Sequence, residues 1–349
     1  MNKLSKLFPS LIFLIVVAII ANVISLKLNE ISILISSTFL AVILGILIRN
    51  TKLMNSNIDE FASIGLKHIL KVGIVFLGIR LSFHEFLNYG VSSILIIIIN
   101  NILLVFIFLT LVRNILKIKN SLTYLIAIGT GICGVTAIIA ASSVIKSNKN
   151  EISYAVGVIT LFGLITMFAY PYLAHILFEN DSIKAGIFLG TSIHDTAQVT
   201  AAGMNYAEIF KDQKVFDAAI TTKLIRNSFL VIAIPILAIM LNNKKNTKIK
   251  NSFINHFPFF VFGFVFFVLV RSLGDIYLIN HEVYFSGWST IIFLLENLSK
   301  WFILIAMVAL GIKTDLTQIV NLGPKPLLAG FAAAILVGMS SIAYLMFLN

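Results

Sequence analysis

Two pairs of ionisable residues in the 349-residue sequence stand inside long apolar stretches, where a charge is costly. His194 and Asp195 are adjacent, and Lys223 and Arg226 follow at a spacing of three residues. Imidazole titrates near neutral pH, and a carboxylate can accept a proton or bind a cation. Arginine and lysine are natural partners of an oxyanion. These side chains could therefore bind an anion, bind a cation or carry a proton.

The surroundings of the His-Asp pair allow two interpretations. If one helix runs through the region, Asp195, Gln198 and Thr191 lie at positions i, i+3 and i−4 and share one face. Such a face could bind a cation, accept a proton or orient basic side chains. Alternatively the helix ends near Gly190, and His194 and Asp195 lie in a solvated loop.

The basic residues also allow two interpretations. Lys223, Arg226 and Asn227 share one helix face at i, i+3 and i+4. They could contact an anion, or their long side chains could extend to the membrane surface and keep their charges in water.

Two segments are rich in glycine, threonine and alanine where a lipid-facing helix favours leucine. They read IGTGICGVTAIIAASS at 128–143 and LGTSIHDTAQVTAAG at 189–203. Glycine weakens a helix and lets other backbones approach closely. A helix broken there would present free N–H groups, with a partial positive charge, in the middle of the membrane. The alternative is two continuous helices that use small residues only for packing.

The candidate site residues are taken from these segments and from the basic cluster. Cys133, the one cysteine of the sequence, can form no disulfide within the chain, and we interpret it as a small packing residue rather than a nucleophile. The substrate-binding candidates are Thr130, Gly131, Cys133, Gly134, Thr136, Gly190, Thr191, Gln198, Lys223 and Arg226, and the ion-coupling candidates are His194 and Asp195.

The composition requires a lipid environment for the elements that position these residues. Hydrophobic residues make up 59% of the chain and charged residues 12%, about half the charged fraction of soluble proteins. Apolar runs long enough to cross a bilayer predict an all-α polytopic membrane protein with about eleven transmembrane helices. The predicted spans are 8–26, 31–49, 64–82, 91–112, 121–145, 152–178, 183–203, 219–242, 256–274, 288–312 and 327–348.

The distribution of basic residues predicts the orientation. The net charge of +11 is concentrated in short loops, the most basic being 242–250, and the positive-inside rule accounts for it without a nucleic-acid partner. This rule places the N-terminus inside and the C-terminus outside. The first apolar run resembles a signal peptide but is long and lacks a clear cleavage site, so we interpret it as an uncleaved span.

An internal repeat indicates two related halves. VFLGIRLSFHEFLNYG at 75–90 and VALGIKTDLTQIVNLG at 308–323 share Leu-Gly-Ile, a following base and a matching Asn-x-Gly. The predicted orientation puts the first copy at an outer helix end and the second at an inner one, as inverted repeats require. Chance similarity between apolar sequences is the alternative.

At these motifs the sequence resembles a known family. GICGVTAIIAASSVI at 131–145, GTSIHDTAQVTAAG at 190–203, KLIRNSF at 223–229, AMVALGIKTDL at 306–316 and VGIVFLGIRLSF at 72–83 resemble the UPF0324 (YeiH-like) bacterial membrane proteins, for which sulfate export has been suggested. The resemblance implies a relation to cation:proton antiporters and bile-acid symporters, hence inverted repeats and two crossed, broken helices. The predicted orientation conflicts with this, because it makes the spans at 121–145 and 183–203 run in the same direction. Either the span count is off by one, or these two are not the symmetric pair.

We expect a single transporter domain over 1–349, with its core at about 120–230, in the bacterial inner membrane. The first hypothesis is a secondary active transporter of a small anion (sulfate, sulfite, or an organic sulfonate or carboxylate) coupled to a proton or sodium, without a cofactor and with homodimerisation possible. The second is a sodium/proton antiporter that uses Asp195, Gln198 and neighbouring hydroxyls. The third is an intramembrane enzyme or a receptor, which is disfavoured because no HExxH motif, GxSxG motif or metal-ligand cluster occurs.

Overall fold

The computed structural model describes the chain in eight stretches, and all regular structure within them is helical. The predicted basic loop at 242–250 and residues 315–322 of the second repeat copy lie outside the described residues. The described residues are 3–30, 35–51, 56–107, 111–145, 147–240, 259–278, 282–314 and 323–347.

The helices follow the apolar segments of the sequence, because a backbone in lipid must satisfy its hydrogen bonds internally. Between α3 and α5 the chain also forms a π-helical turn at Gly65–Ile69 and a 3₁₀ turn at Gly78–Arg80. In chain order the helices are α1 (Lys3–Glu30), α2 (Ser37–Arg49), α3 (Ser56–Ile64), α4 (Leu70–Leu77), α5 (Phe83–Ile107), α6 (Arg113–Leu116), α7 (Asn120–Gly131), α8 (Val135–Ile145), α9 (Lys149–Phe178), α10 (Ser182–Ser192), α11 (Thr196–Phe210), α12 (Gln213–Ser228), α13 (Leu230–Met240), α14 (Phe260–Leu278), α15 (Glu282–Ile312) and α16 (Pro324–Phe347).

Seven helical segments in the described residues are long and apolar enough to cross a membrane. They lie in α1, α5, α9, α12–α13, α14, α15 and α16. The other predicted spans correspond to α2, to the helical run 56–80, and to two interrupted helices, α7–α8 and α10–α11. The prediction of an all-α polytopic membrane protein is therefore confirmed. The inverted-repeat relation between the halves stays a prediction.

The chain divides into two compact units. Unit 1 comprises Met1–Asn88, Met204–Gln213 and Phe259–Leu316, and unit 2 comprises Tyr89–Gly203, Lys214–Pro258 and Thr317–Asn349. The two interrupted helices therefore break within unit 2. The core predicted at about 120–230 falls largely in unit 2, and its role as the transport part stays a prediction.

In unit 1, α2 and α15 pack with their backbones in contact. A Cβ atom on Gly45 would collide with the carbonyl oxygen of Val308, and one on Gly311 with that of Val42. Glycine is thus required at both positions of this crossing. Neither helix is interrupted at the crossing, which lies at the C-terminal end of α15.

The start of α2 is held by an acid from the end of α11, also in unit 1. The Glu208 carboxylate accepts hydrogen bonds from the backbone N–H of Ser37 at 2.6 Å and from the hydroxyls of Ser37 and Thr38 at 2.9 and 3.1 Å. A carboxylate suits this position because the first N–H groups of a helix are unpaired and carry partial positive charge.

Unit 2 buries the two interrupted helices among other helices. The side chains of Leu125, Ile138, Ile159, Ile234 and Val337 belong to one buried apolar cluster that joins α7, α8, α9, α13 and α16. This packing fixes the half-helices α7 and α8 and thereby the position of the break between them.

Candidate functional site

The first interrupted helix breaks at a glycine in the left-handed region. α7 ends at Gly131, and Gly134, just before α8, has a φ of +66°. Its N–H donates to the carbonyl of Gly129 at 2.9 Å, which closes the end of α7. A Cβ atom on Gly134 would lie 2.7 Å from Asp195 Oδ2 and 3.2 Å from Asp195 Cα. Only glycine combines this backbone conformation with so close an approach of the two broken helices.

The second interrupted helix restarts with a capped N-terminus. α10 ends at Ser192, and the Asp195 carboxylate accepts a hydrogen bond from the N–H of Ala197 at 3.0 Å in the first turn of α11. In return, the Asp195 N–H donates to Gln198 Oε1 at 3.1 Å. Asp195 and Gln198 thus satisfy two N–H groups that a helix start leaves unpaired.

This break corrects two sequence predictions. Asp195, Gln198 and Thr191 do not share one helix face, because the helix is interrupted between Thr191 and Asp195. The alternative of a solvated loop is also wrong for His194, whose exposed fraction is 0%. The chain leaves the helix close to Gly190, as that alternative expected, but it does so in a buried environment.

Lys223 on α12 binds both breaks at once. Its Nζ donates to the carbonyl oxygens of Ile132 at 3.1 Å, Ile193 at 3.1 Å and His194 at 2.5 Å. Three acceptors match the three N–H groups of an ammonium, so a protonated Lys223 uses every donor. Its exposed fraction is 0%, and the predicted alternative of a side chain that extends to the membrane surface is therefore wrong.

Arg226, one turn further along α12, binds the same half-helix ends. Its Nε donates to the Gly131 carbonyl at 2.7 Å, and one terminal nitrogen donates to the carbonyls of Gly190 at 3.2 Å and Ile193 at 2.9 Å. Its other terminal nitrogen donates to the Thr130 carbonyl. The last carbonyls of a helix are unpaired and carry partial negative charge. Lys223 and Arg226 therefore neutralise the C-terminal ends of α7 and α10.

We refer to residues 130–134 and 190–195, together with Lys223 and Arg226, as the junction. Several fully or almost fully buried polar atoms at or beside it have no hydrogen-bond partner among the described residues. In folded proteins such groups are usually paired, with protein, water, an ion or a ligand. They are both ring nitrogens of His194, the hydroxyls of Thr130, Ser192, Thr221 and Thr222, and Oδ1 of Asn227.

The remaining predicted residues differ in where they lie. Cys133 is buried in the first break, and Gly190 packs against Ala219 and Thr222 of α12. Thr136 lies in the first turn of α8 with its side chain exposed, so the structure does not bring it into the buried set.

Thr191 belongs to a polar network that the sequence analysis missed. Its hydroxyl donates to Ser341 Oγ of α16 at 3.0 Å, and Asn100 Nδ2 of α5 donates to the same oxygen at 2.9 Å. Ser340 Oγ donates to Asn100 Oδ1 at 2.5 Å. The network fixes the last turn of α10 before its break. Its sequence signal is two polar pairs, Asn-Asn and Ser-Ser, inside otherwise apolar spans.

The junction offers charge and hydroxyl groups rather than metal ligands. Within the described residues, no three His, Cys, Asp or Glu side chains lie together as a metal site would require. What it can do chemically is bind a small charged or polar solute and, through His194 and Asp195, exchange a proton.

Comparisons with known proteins place the chain in a family. The matching family profile is described as Conserved hypothetical protein 698 and covers residues 9–330. A UPF0324 membrane protein of Fusobacterium nucleatum is 31% identical over 310 residues, which is 87% of this chain and 87% of that protein. The chain belongs to the UPF0324 family. A UPF0324 membrane protein of Pasteurella multocida is also 31% identical, over 94% of this chain and 93% of its own length.

Membership of UPF0324 confirms the resemblance on which the sequence analysis relied. A further relative, the UPF0324 inner membrane protein YeiH of Escherichia coli, is 26% identical over 88% of this chain and 85% of its own. These names and the apolar helices agree that the chain is a membrane protein. The predicted inside location of the N-terminus stays a prediction. No solved structure matches the chain.

Proposed function

We propose that this UPF0324 protein is a secondary active transporter that moves a small anion by alternating access. The observation that carries the proposal is the junction, where two broken helices meet at the buried charges of Lys223 and Arg226. In secondary transporters, discontinuous helices place their ends around the substrate near the middle of the membrane. Buried ionisable groups in a membrane protein are costly and commonly mark such a pathway.

The charges and donors of the junction support an anion as cargo. The positive charge comes from Lys223 and Arg226, because the Asp195 carboxylate already accepts hydrogen bonds at the N-terminal ends of α8 and α11. Lys223 and Arg226 act mainly through their charge, since most of their N–H groups already bind carbonyls. The unpartnered hydroxyls of Thr130 and Ser192 are the donors available for direct contact.

Coupling to a proton is assigned to His194 and Asp195. The His194 ring has two unpartnered nitrogens, and imidazole changes its charge in the physiological pH range. Asp195 holds the start of α11, so a change in its charge would act directly on the second break. The proposed partners are the anion, a proton or sodium ion and the bilayer, with a homodimer as a possible assembly. The proposal includes no catalysis and no cofactor.

Flux in proteoliposomes tests the proposal. Purified protein is reconstituted with sulfate, sulfite, an organic sulfonate or a carboxylate inside, and anion release and proton movement are recorded. We expect at least one anion to move with the wild type, and flux to fall at least about tenfold in His194→Ala and Asp195→Asn. His175→Ala, a partly exposed histidine of α9, is the matched control and should keep its flux. Absence of flux for every anion would reject the transporter, and unchanged flux in both variants would reject the coupling residues.

The second candidate is a sodium/proton antiporter. The observation that favours it is the Asp195 carboxylate, which lies close enough to Lys223 to interact electrostatically and so forms an acid–base pair at the junction. Only a ligand that prefers the folded state raises the thermal unfolding temperature. A rise with sodium but not with sulfate, sulfite or sulfonates would favour the antiporter. A rise with an anion alone would favour the first candidate.

A further inference from the structure

We infer that the junction selects anions with a single negative charge over divalent anions. This inference rests on the proposed function and adds the charge class of the substrate to it. It follows from the number of charged side chains at the junction, from the counter-charges that the helix ends already have, and from the hydrogen-bond donors that have no protein partner.

Three side chains bring formal charge to the junction. Two are basic, Lys223 and Arg226, and one is acidic, Asp195. Arg226 and Asp195 both act electrostatically on Lys223, while the Cys133 thiol and an unprotonated His194 ring add no formal charge. With the His194 ring unprotonated, two positive charges and one negative charge leave a sum of one positive charge.

The partial charges at the helix ends add no further positive charge, because each of them is already paired with a side chain of opposite charge. The carbonyl ends of α7 and α10 bind Lys223 and Arg226. The Asp195 carboxylate accepts hydrogen bonds from the N–H of Ala197 in α11 and from the N–H of Val135 in α8. A helix end whose partial charge is already paired with such a counter-charge attracts a further ligand only weakly.

The hydrogen-bond donors of the junction that have no protein partner suit a weakly charged ligand. Proteins often hold divalent oxyanions with a free arginine fork. Here the Nε and both terminal nitrogens of Arg226 bind carbonyls, and so do all three donors of Lys223. A fork would become available only if the half-helix ends lost these bonds. The unpartnered groups are neutral: the hydroxyls of Thr130 and Ser192 and the ring of His194.

The charge balance then decides between ligands. A monovalent anion brings the junction to zero net charge. A divalent anion leaves one negative charge without a partner inside a membrane protein, where an uncompensated charge is strongly unfavourable. Methanesulfonate and sulfate share the same oxygen-bearing sulfur group and differ by one charge, so they separate charge from shape.

The test compares the dissociation constants of methanesulfonate and sulfate by calorimetry on the purified full-length protein. The wild type is expected to bind methanesulfonate at least about tenfold more tightly. Asp195→Asn keeps an acceptor oxygen for the two helix starts but raises the charge sum to two, and should shift the affinity ratio at least about tenfold towards sulfate. Asp181→Asn is the matched control, because Asp181 caps the other end of α10 by accepting from the Lys184 N–H at 3.0 Å. It removes the same charge far from the junction and should leave the ratio unchanged.

Tighter binding of sulfate by the wild type would overturn the inference, and this comparison needs no variant to fold. An equal shift of the ratio in Asp195→Asn and Asp181→Asn would overturn the charge count as its cause. If neither anion binds and no anion moves in the flux assay, the proposed function itself fails. If anions move but sulfate is preferred, only the charge class fails.

Discussion

Each unit contains a close helix crossing, and the two crossings are built in opposite ways. In unit 1, α2 and α15 touch through Gly45 and Gly311, and neither helix is interrupted at the crossing. In unit 2 the helices are broken, and Lys223 and Arg226 bind the freed carbonyls. Close packing alone therefore needs only small residues. Breaking the helices additionally requires buried charges, an arrangement expected where a membrane protein binds a solute.

The two units also differ in how exposed their charged side chains are. In unit 1, Asp59 pairs with Arg49 at 3.0 Å and with Lys313 at 3.1 Å, and all three side chains are 22–36% exposed. In unit 2 the basic pair at the junction is at most 1% exposed. Water and salt can compete with the first set of contacts, whereas the second set is shielded from them in this structure.

The largest effect is expected from Arg226→Met. The variant keeps an apolar stem but leaves the carbonyls of α7 and α10 that Arg226 contacts without that donor. Removing one side of a buried charged network costs about 3–5 kcal/mol, so the thermal unfolding temperature in detergent should fall steeply. Arg226→Lys, which keeps the charge, should lose less. A methionine variant as stable as the wild type would show that the junction does not depend on these bonds.

Replacing one glycine by alanine in each unit distinguishes the crossing in unit 1 from the crossing in unit 2. Gly311→Ala forces α2 and α15 apart and should cost about 1–3 kcal/mol of stability while leaving the anion dissociation constant unchanged. Gly134→Ala puts a side chain at a φ of +66°, with a cost of about 1–2 kcal/mol, and against Asp195. It should therefore also weaken anion binding. The comparison fails if Gly311→Ala changes the affinity as much as Gly134→Ala does.

The smallest effect is expected from Asp59→Asn in unit 1. It removes two partly exposed ion pairs, and such pairs contribute about 0–1 kcal/mol. The difference in unfolding temperature from the wild type should shrink further as salt is added. If Asp59→Asn lowered the unfolding temperature as much as Arg226→Met does, the contrast between exposed and buried charges would be contradicted.

The sequence predicts the helical membrane class and both glycine-rich segments, because length, apolarity and composition are local properties. The pairing of Asp195 with Gln198 also has a local signal, since an Asp followed three residues later by Gln is typical of a helix start. The one-face interpretation failed because it assumed a continuous helix through 193–195. The carbonyl partners of Lys223 and the bond from Thr191 to Ser341 depend on residues distant in the chain, for which no local pattern exists.

The central claim is that the junction binds an anion. Its most direct test is calorimetric titration of the wild type and of the double variant Thr130→Val, Ser192→Ala, which removes two unpartnered hydroxyls without changing charge. Ser299→Ala, which removes a unit 1 hydroxyl bonded to the Gly73 carbonyl, serves as the control. We predict one bound anion per chain, at least about tenfold weaker binding in the double variant and unchanged affinity in the control. No saturable binding, or equal affinity in wild type and double variant, would contradict the claim.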